Sequence, residues 1–181
     1  MSADDIHRTI NVTGVGRAAA AADLLVLSLA VETEAVTALA ALTENNKQAA
    51  AVLSALQDHG IQQRDIQTTQ LSIDPVMSGQ DQSDARPPKI VGYRVRNGLS
   101  ATLRDIQDAG AVIDATVQAG GDATRIEGFS FSFAEPSRLL GDARKRAIDD
   151  AKDRARQLAD GLGVALGDIL SISESDFGGG V

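Results

Sequence analysis

The residues with the most chemical promise stand near the start of the chain. Gly14-Val15-Gly16-Arg17-Ala18-Ala19 follows the short alternation Ile10-Asn11-Val12-Thr13. Its spacing fits G-x-G-x-x-A, and Glu34 lies about 20 residues further on, where a dinucleotide fold places the carboxylate that binds ribose. That fingerprint requires a crossover helix of about ten residues before the next strand, and strand-like alternation resumes at Leu25. The glycine pair therefore reads as a bend or bulge in an edge strand. His7 and His59 are the only histidines. Neither has H-E-x-x-H spacing around it, and a zinc ion needs further nitrogen, sulfur or carboxylate ligands. His59 falls at the expected C-terminus of a helix, where a cation meets the dipole favourably. No G-x-S-x-G elbow offers a serine nucleophile. Asp149-Asp150 projects from a charged helix face, whereas acid–base catalysis needs burial to separate two pKa values. Asp74-Pro75 and Glu135-Pro136 follow strands, which is ordinary turn chemistry. Asn46 sits in an apolar helix stripe and is expected to hydrogen-bond within the core, a subunit contact being the alternative. These residues lead to the expectation of a protein that is not an enzyme, with no catalytic residue, no cofactor and no metal.

The elements that position these residues read as one pattern used twice. A strand around Leu24–Glu32 leads into a helix ending near His59-Gly60, and a strand Asp65–Asp74 closes on Pro75. A strand around Ile90–Leu103 then leads into a helix ending near Ala119-Gly120, and a strand Arg125–Ala134 closes on Glu135-Pro136. In the first helix Val36, Leu39, Leu42, Thr43, Asn46, Ala49, Ala50, Leu53 and Leu56 recur at helical spacing. In the second the stripe is Ile106, Ala109, Gly110, Ile113, Thr116 and Val117, with Thr102 and Asp105 as a capping pair. Asn97-Gly98 is read as a bulge in one long strand, since the odd-numbered apolar face continues across it. A hairpin turn is the alternative. Phe129, Phe131 and Phe133 alternate and are expected to supply most of the aromatic core.

A third helix opens at Ser137 as N-cap. Leu140, Ala143, Ala147, Ala151, Ala155, Leu158 and Leu162 form its inner face, and alanines there permit a short distance to whatever packs on it. Its outer face carries Asp142 with Arg146, Lys145 with Asp149, Asp150 with Arg154 and Arg156 with Asp160, each pair adding a few tenths of a kcal/mol. Gly161 and Gly163 end the helix. Asp168–Ser173 is expected to be a last strand. The fold class is α+β, with duplicated strand–helix–strand units and a mainly antiparallel sheet packed against long amphipathic helices. Residues 9–175 are expected to be a single domain, with flexible termini at 1–8 and 176–181 and a flexible loop at 77–89.

Composition narrows the class of partner. The 181 residues carry a net charge of -8, which leaves no basic excess for releasing phosphate counterions, so nucleic acid is not expected as a partner. An anionic membrane surface is disfavoured for the same reason. The longest apolar run, Ala18–Val31, is interrupted by Asp23 and is too short to span a bilayer. It lacks a positively charged lead-in, so the chain as given is expected to be cytoplasmic and without membrane insertion. Aromatics are 3%, so the core must be aliphatic and alanine-rich. Cysteine is absent, which removes disulfides and thiolate chemistry.

The ordered set of short pieces resembles the SIMPL-domain (DUF541) family. It runs through Val12–Gly16, Asn46-Lys47, Gly60-Ile61, Asp65–Thr68, Ile73–Pro75 and Gly92–Arg94. It continues with Leu103–Asp105, Phe129–Phe133, Glu135-Pro136, Ala143-Arg144, Ala147, Leu158–Gly163 and Ile172–Ser175. The resemblance covers about residues 10–175. It implies an α+β fold, homo-oligomers, and loose links to stress response or signalling, and it carries no established catalytic residue. Many members of the family carry an export signal and are periplasmic. Members also continue past the Ser-Glu-Ser stretch into a final strand, where this chain reaches Gly178–Val181. An edge left open there would be a pairing surface, so Ile169, Leu170, Ser171 and Ile172 are the expected oligomer edge. A homo-oligomeric scaffold is the first functional expectation. A small-ligand carrier with a pocket between helices and sheet is the alternative.

Overall fold

The computed structural model describes residues 8–78 and 87–175. They fall into two compact units, one comprising residues 22–133 and the other joining the N-terminal stretch to the chain from Ala134 onward. The expected flexible termini and loop lie largely outside the described residues.

The first unit contains β1 (Leu24–Ala35), α1 (Ala38–Asp58), β2 (Ile66–Met77), β3 (Ile90–Leu103), α2 (Ala109–Gly120) and β4 (Thr124–Ser132). The sheet order is β2-β3-β1-β4, with every neighbouring pair antiparallel. The expected α+β class and duplicated units are both present. Each strand–helix–strand unit places its two strands one position apart and leaves a gap, and a strand of the other unit fills it. This is the split βαβ, ferredoxin-like arrangement.

The core is aliphatic. Leu25, Leu27, Leu29 and Val31 of β1 and Leu99, Ala101 and Leu103 of β3 meet Ala49, Val52 and Leu56 of α1 and Val112 of α2. Thr37 caps α1 by accepting a hydrogen bond from the Ala40 amide at 3.3 Å. At the other end Gly60, at φ 79°, donates to Gln57 while Ile61 donates to Leu56, so the last turn closes on a residue that takes positive φ without penalty.

Several expectations fail in this unit. The buried face of α1 is Ala41, Asn45, Ala49, Val52 and Leu56. Asn46 is exposed, as are Val36 and Leu39. So many alanines make several helical phases almost equally apolar, and counting from Val36, before the first helical residue, selects the wrong one. Phe129 and Phe131 are 59% and 47% exposed instead of forming an aromatic core. They stand edge to face with ring centres 6.0 Å apart. The cause is position: β4 is an edge strand, and α1 packs over β1 and β3. Asn97-Gly98 is neither a hairpin nor itself the bulge, because β3 pairs with β1 without a break. The extra residue is Thr69 on β2, opposite Leu99 and Gly98. A side chain at position 98 would lie 2.7 Å from Thr69 Oγ1, which explains the glycine. Asp74-Pro75 lies inside β2, with Pro75 tolerated because the strand is an edge.

The second unit is built on α3 (Pro136–Leu162). It opens with Pro136 in the first turn, behind Glu135, so Ser137 is not the cap. Proline suits that position because its missing N–H would have had no helical partner. The helix ends at Gly163 in left-handed conformation, without a stop at Gly161. Of the expected inner face only Ala143, Ala147, Ala151 and Ala155 are partly covered; Leu140, Leu158 and Leu162 are exposed, and Ala159 is the buried residue of the helix. Against these alanines lies the N-terminal stretch, with Ile10, Val12, Gly14, Gly16 and Ala18 partly covered and Asn11, Thr13, Val15 and Arg17 exposed. The expected last strand, Asp168–Ser173, is not in the sheet.

Candidate functional site

Gly14 and Gly16 touch a helix where a nucleotide fold would place phosphate. A β-carbon on Gly14 would collide with the Ala147 carbonyl and come within 2.7 Å of the Ala151 methyl, and one on Gly16 would collide with the Ala143 carbonyl. The chain from Gly14 to Ala21 forms no helix, and Glu34 is spent on Arg94, whose Nε donates to it at 2.6 Å. The glycines therefore permit close approach of backbone to backbone, neither cradling phosphate nor bulging a sheet edge. The Val15 amide donates to Asp150 Oδ2 at 2.8 Å, and Arg154 holds the other oxygen of that carboxylate at 3.0 Å. The Val15 bond, with Arg154 assisting, depresses the Asp150 pKa below the usual carboxylate value. Arg146 reaches the Arg17 carbonyl at 2.5 Å. Asp150 is thus a clamp for the N-terminal segment, and its expected ion pair with Arg154 is present. Arg156 instead pairs with Asp153, at 3.1 Å.

Asn45 is the helix amide that enters the core, in place of Asn46. Its Nδ2 donates to the Val31 carbonyl at 2.9 Å and the Val95 carbonyl at 3.2 Å, tying α1 to β1 and β3 together. Its Oδ1 is buried without a donor among the described residues. One turn earlier Thr33 Oγ1 donates to the Ala41 carbonyl at 2.8 Å. No periodicity argument finds these two residues, since each is a polar side chain at an apolar position of its element.

On the opposite face of the sheet the charges form a ladder. Glu34 and Asp74 both stand in register with Arg94, and Glu32 with Arg96. Arg94 binds Glu34, and that hydrogen bond is the main reason its guanidinium pKa is raised. Arg96 reaches Glu32 at 3.4 Å and also Glu127, the residue pushed out of register in β4. Asp74 is therefore a cross-strand charge and does not sit in a turn.

His59, the described histidine, lines a cavity of about 190 Å³ with Gln62, Asp65, Arg104, Asp105 and Asp108. His59 Nδ1 stands 3.4 Å from Asp108 Oδ2, and Arg104 donates to Asp65 Oδ1 at 2.9 Å. Asp105 caps the turn into α2 through the Gln107 amide at 3.0 Å, without Thr102. His7 lies outside the described residues. Among the described residues no group of three or more histidines and carboxylates is placed to hold a metal ion, and no helix is long and apolar enough to cross a membrane.

The expected oligomer edge lies in the stretch after α3. Residues 164–175 form no helix or strand, are exposed throughout, and pair with no strand among the described residues. Ile169, Leu170 and Ile172 are 68%, 74% and 82% exposed, and Ser171 is exposed between them. Glu174 is anchored to Arg144 Nε at 2.7 Å.

The sheet places residues 22–133 in the split βαβ class, a scaffold that hosts many unrelated functions. Residues 10–180 match the SIMPL family, described as proteins of unknown function (DUF541), and the chain belongs to that family. It is 36% identical over 170 residues to the 26 kDa periplasmic immunogenic protein of Brucella melitensis, covering 91% of this chain and 66% of the relative. It is 28% identical over 163 residues to the uncharacterized protein YggE of Escherichia coli K12, covering 90% of this chain and 64% of the relative. The chain thus spans slightly less than two thirds of the length of these relatives.

Proposed function

We propose that this SIMPL protein is a non-enzymatic, homo-oligomerising scaffold whose subunits associate through the exposed stretch around Ile169–Ile172. The observation that carries the reading is that stretch: apolar, exposed and in no strand ladder among the described residues. Leaving such a segment in water is costly in apolar exposure and hazardous as a pairing template. The chemistry-bearing side chains point the same way, since Asp150, Glu34, Arg94 and Arg96 are each engaged in structural pairs. The compartment proposed is the periplasm rather than the cytoplasm first expected, on the strength of the Brucella relative's description.

Light scattering behind size exclusion tests the assembly. A discrete oligomer that persists on dilution is the expected result, and a monomer at every concentration overturns it. The cavity beside His59 supports a second reading, a carrier of a small polar molecule. Its volume lies below the roughly 300–1,000 Å³ usual for ligand pockets, so it takes second place. Heat stabilisation by particular metabolites would favour it.

A further inference from the structure

We infer that the stretch around Leu170 and Ile172 of one subunit adds as a fifth strand to the open edge of β4 in a second copy. The inference rests on the oligomeric reading above and names the surface that receives the segment. The ladder order leaves two edges, β2 and β4. Where β4 carries one bulge, at Glu127, β2 is guarded by two devices, the missing amide of Pro75 and the bulge at Thr69, the latter within a polar, exposed run Gln67-Thr68-Thr69-Gln70. Each of these is a recognised device against strand addition. On β4 Ile126, Phe129 and Phe131 stand in register with Leu29, Leu27 and Leu25, the buried centre of the sheet. They continue that apolar face to the edge and leave it exposed there. Three large side chains so placed ask for one more strand with apolar residues two apart. Leu170 and Ile172 supply that spacing, and no residue from 164 to 175 is buried or paired in a ladder among the described residues. Donor segment and acceptor strand are different stretches of the same sequence, so the contact is heterologous. Repeated from copy to copy it builds a ring when the rotation closes.

The absence of cysteine from the sequence makes disulfide trapping unambiguous. Single variants Phe129→Cys and Leu170→Cys are purified, checked by circular dichroism, mixed and oxidised, with Phe131→Cys and Ile172→Cys as the neighbouring register. The expected result is a covalent dimer that needs both partners in the mixture and exceeds, several-fold, the yield of Ser72→Cys on β2 with Leu170→Cys. Trapping on β2 instead overturns the assignment of β4. In the double variant Phe129→Cys/Leu170→Cys, a fast-migrating monomer with an internal disulfide, formed equally at high dilution, overturns the second copy as occupant. An oligomer by light scattering that gives no cross-link at either register sinks this inference and leaves the scaffold reading standing. A monomer throughout sinks both.

Discussion

Asn45 makes two hydrogen bonds to carbonyls of adjacent strands at the cost of one unpaired acceptor. Replacing it with alanine removes both donors and opens space against the sheet, so Asn45→Ala should lower stability by about 1–3 kcal/mol. Asn46→Ala should stay within about 0.5 kcal/mol. Urea unfolding of the two variants decides which asparagine belongs to the core, and equal effects would refute the assignment. Asp150 gives a pH-dependent counterpart. Its folded pKa is depressed, so its contribution is present above the unfolded carboxylate value of about 3.9 and is lost as pH falls through the folded value. Amide exchange at Val15, compared with the Asp150→Asn variant, should therefore lose protection in acid before the helices melt. Protection unchanged by acid or by the variant would show that the clamp contributes nothing.

The packing of the N-terminal segment on α3 decides what Gly14 and Gly16 are for. An added methyl at position 16 meets the backbone of Ala143, which cannot retreat without breaking the helix. Gly16→Ala should lift the segment and cost about 1–3 kcal/mol, the range for overpacking. Limited proteolysis should then cut within residues 10–18 while α3 stays intact. A variant as resistant as the parent would mean that the approach is looser than the geometry states. The alanines of the inner face of α3 were legible in the sequence, though not the exposure of Leu140, Leu158 and Leu162 or the burial of Ala159, and so was the need for something to lie close against them. What lay there was not, because a glycine pair permits close approach, a bend or an anion cradle with equal ease. The six alternating elements and both helix stops of the split sheet were also legible, because periodicity and glycine stops are local. Edge and centre are not local properties. Phe129 and Phe131 carry the alternation of a core strand, and only the order β2-β3-β1-β4 reveals that they stand at the rim. The cavity was hidden for the same reason, since His59 and Asp108 are 49 residues apart in sequence.

At the scale of the molecule, the prediction concerns the surface that residues 164–175 present. Ile172→Lys places a charge on an apolar segment that is already 82% exposed. In a free subunit that change should be within about 0.5 kcal/mol of neutral. At an interface it should weaken assembly, because an unpaired charge is expensive to desolvate. The expected outcome is a shift from oligomer to monomer with an unchanged thermal transition of the isolated subunit, and an unchanged oligomer would place the interface elsewhere.

The interleaving of the two strand–helix–strand units fixes an order of events in the life of the chain. β1, the most deeply buried strand, has β3 and β4 as its ladder neighbours, and both come from the second half of the sequence. While the polypeptide is made or threaded through a pore, Leu25–Val31 can find no registered partner until β3 has emerged. Non-local pairings of this kind are slow to form. The first half of the protein must wait, unpaired and open to chaperones, for the second half to arrive.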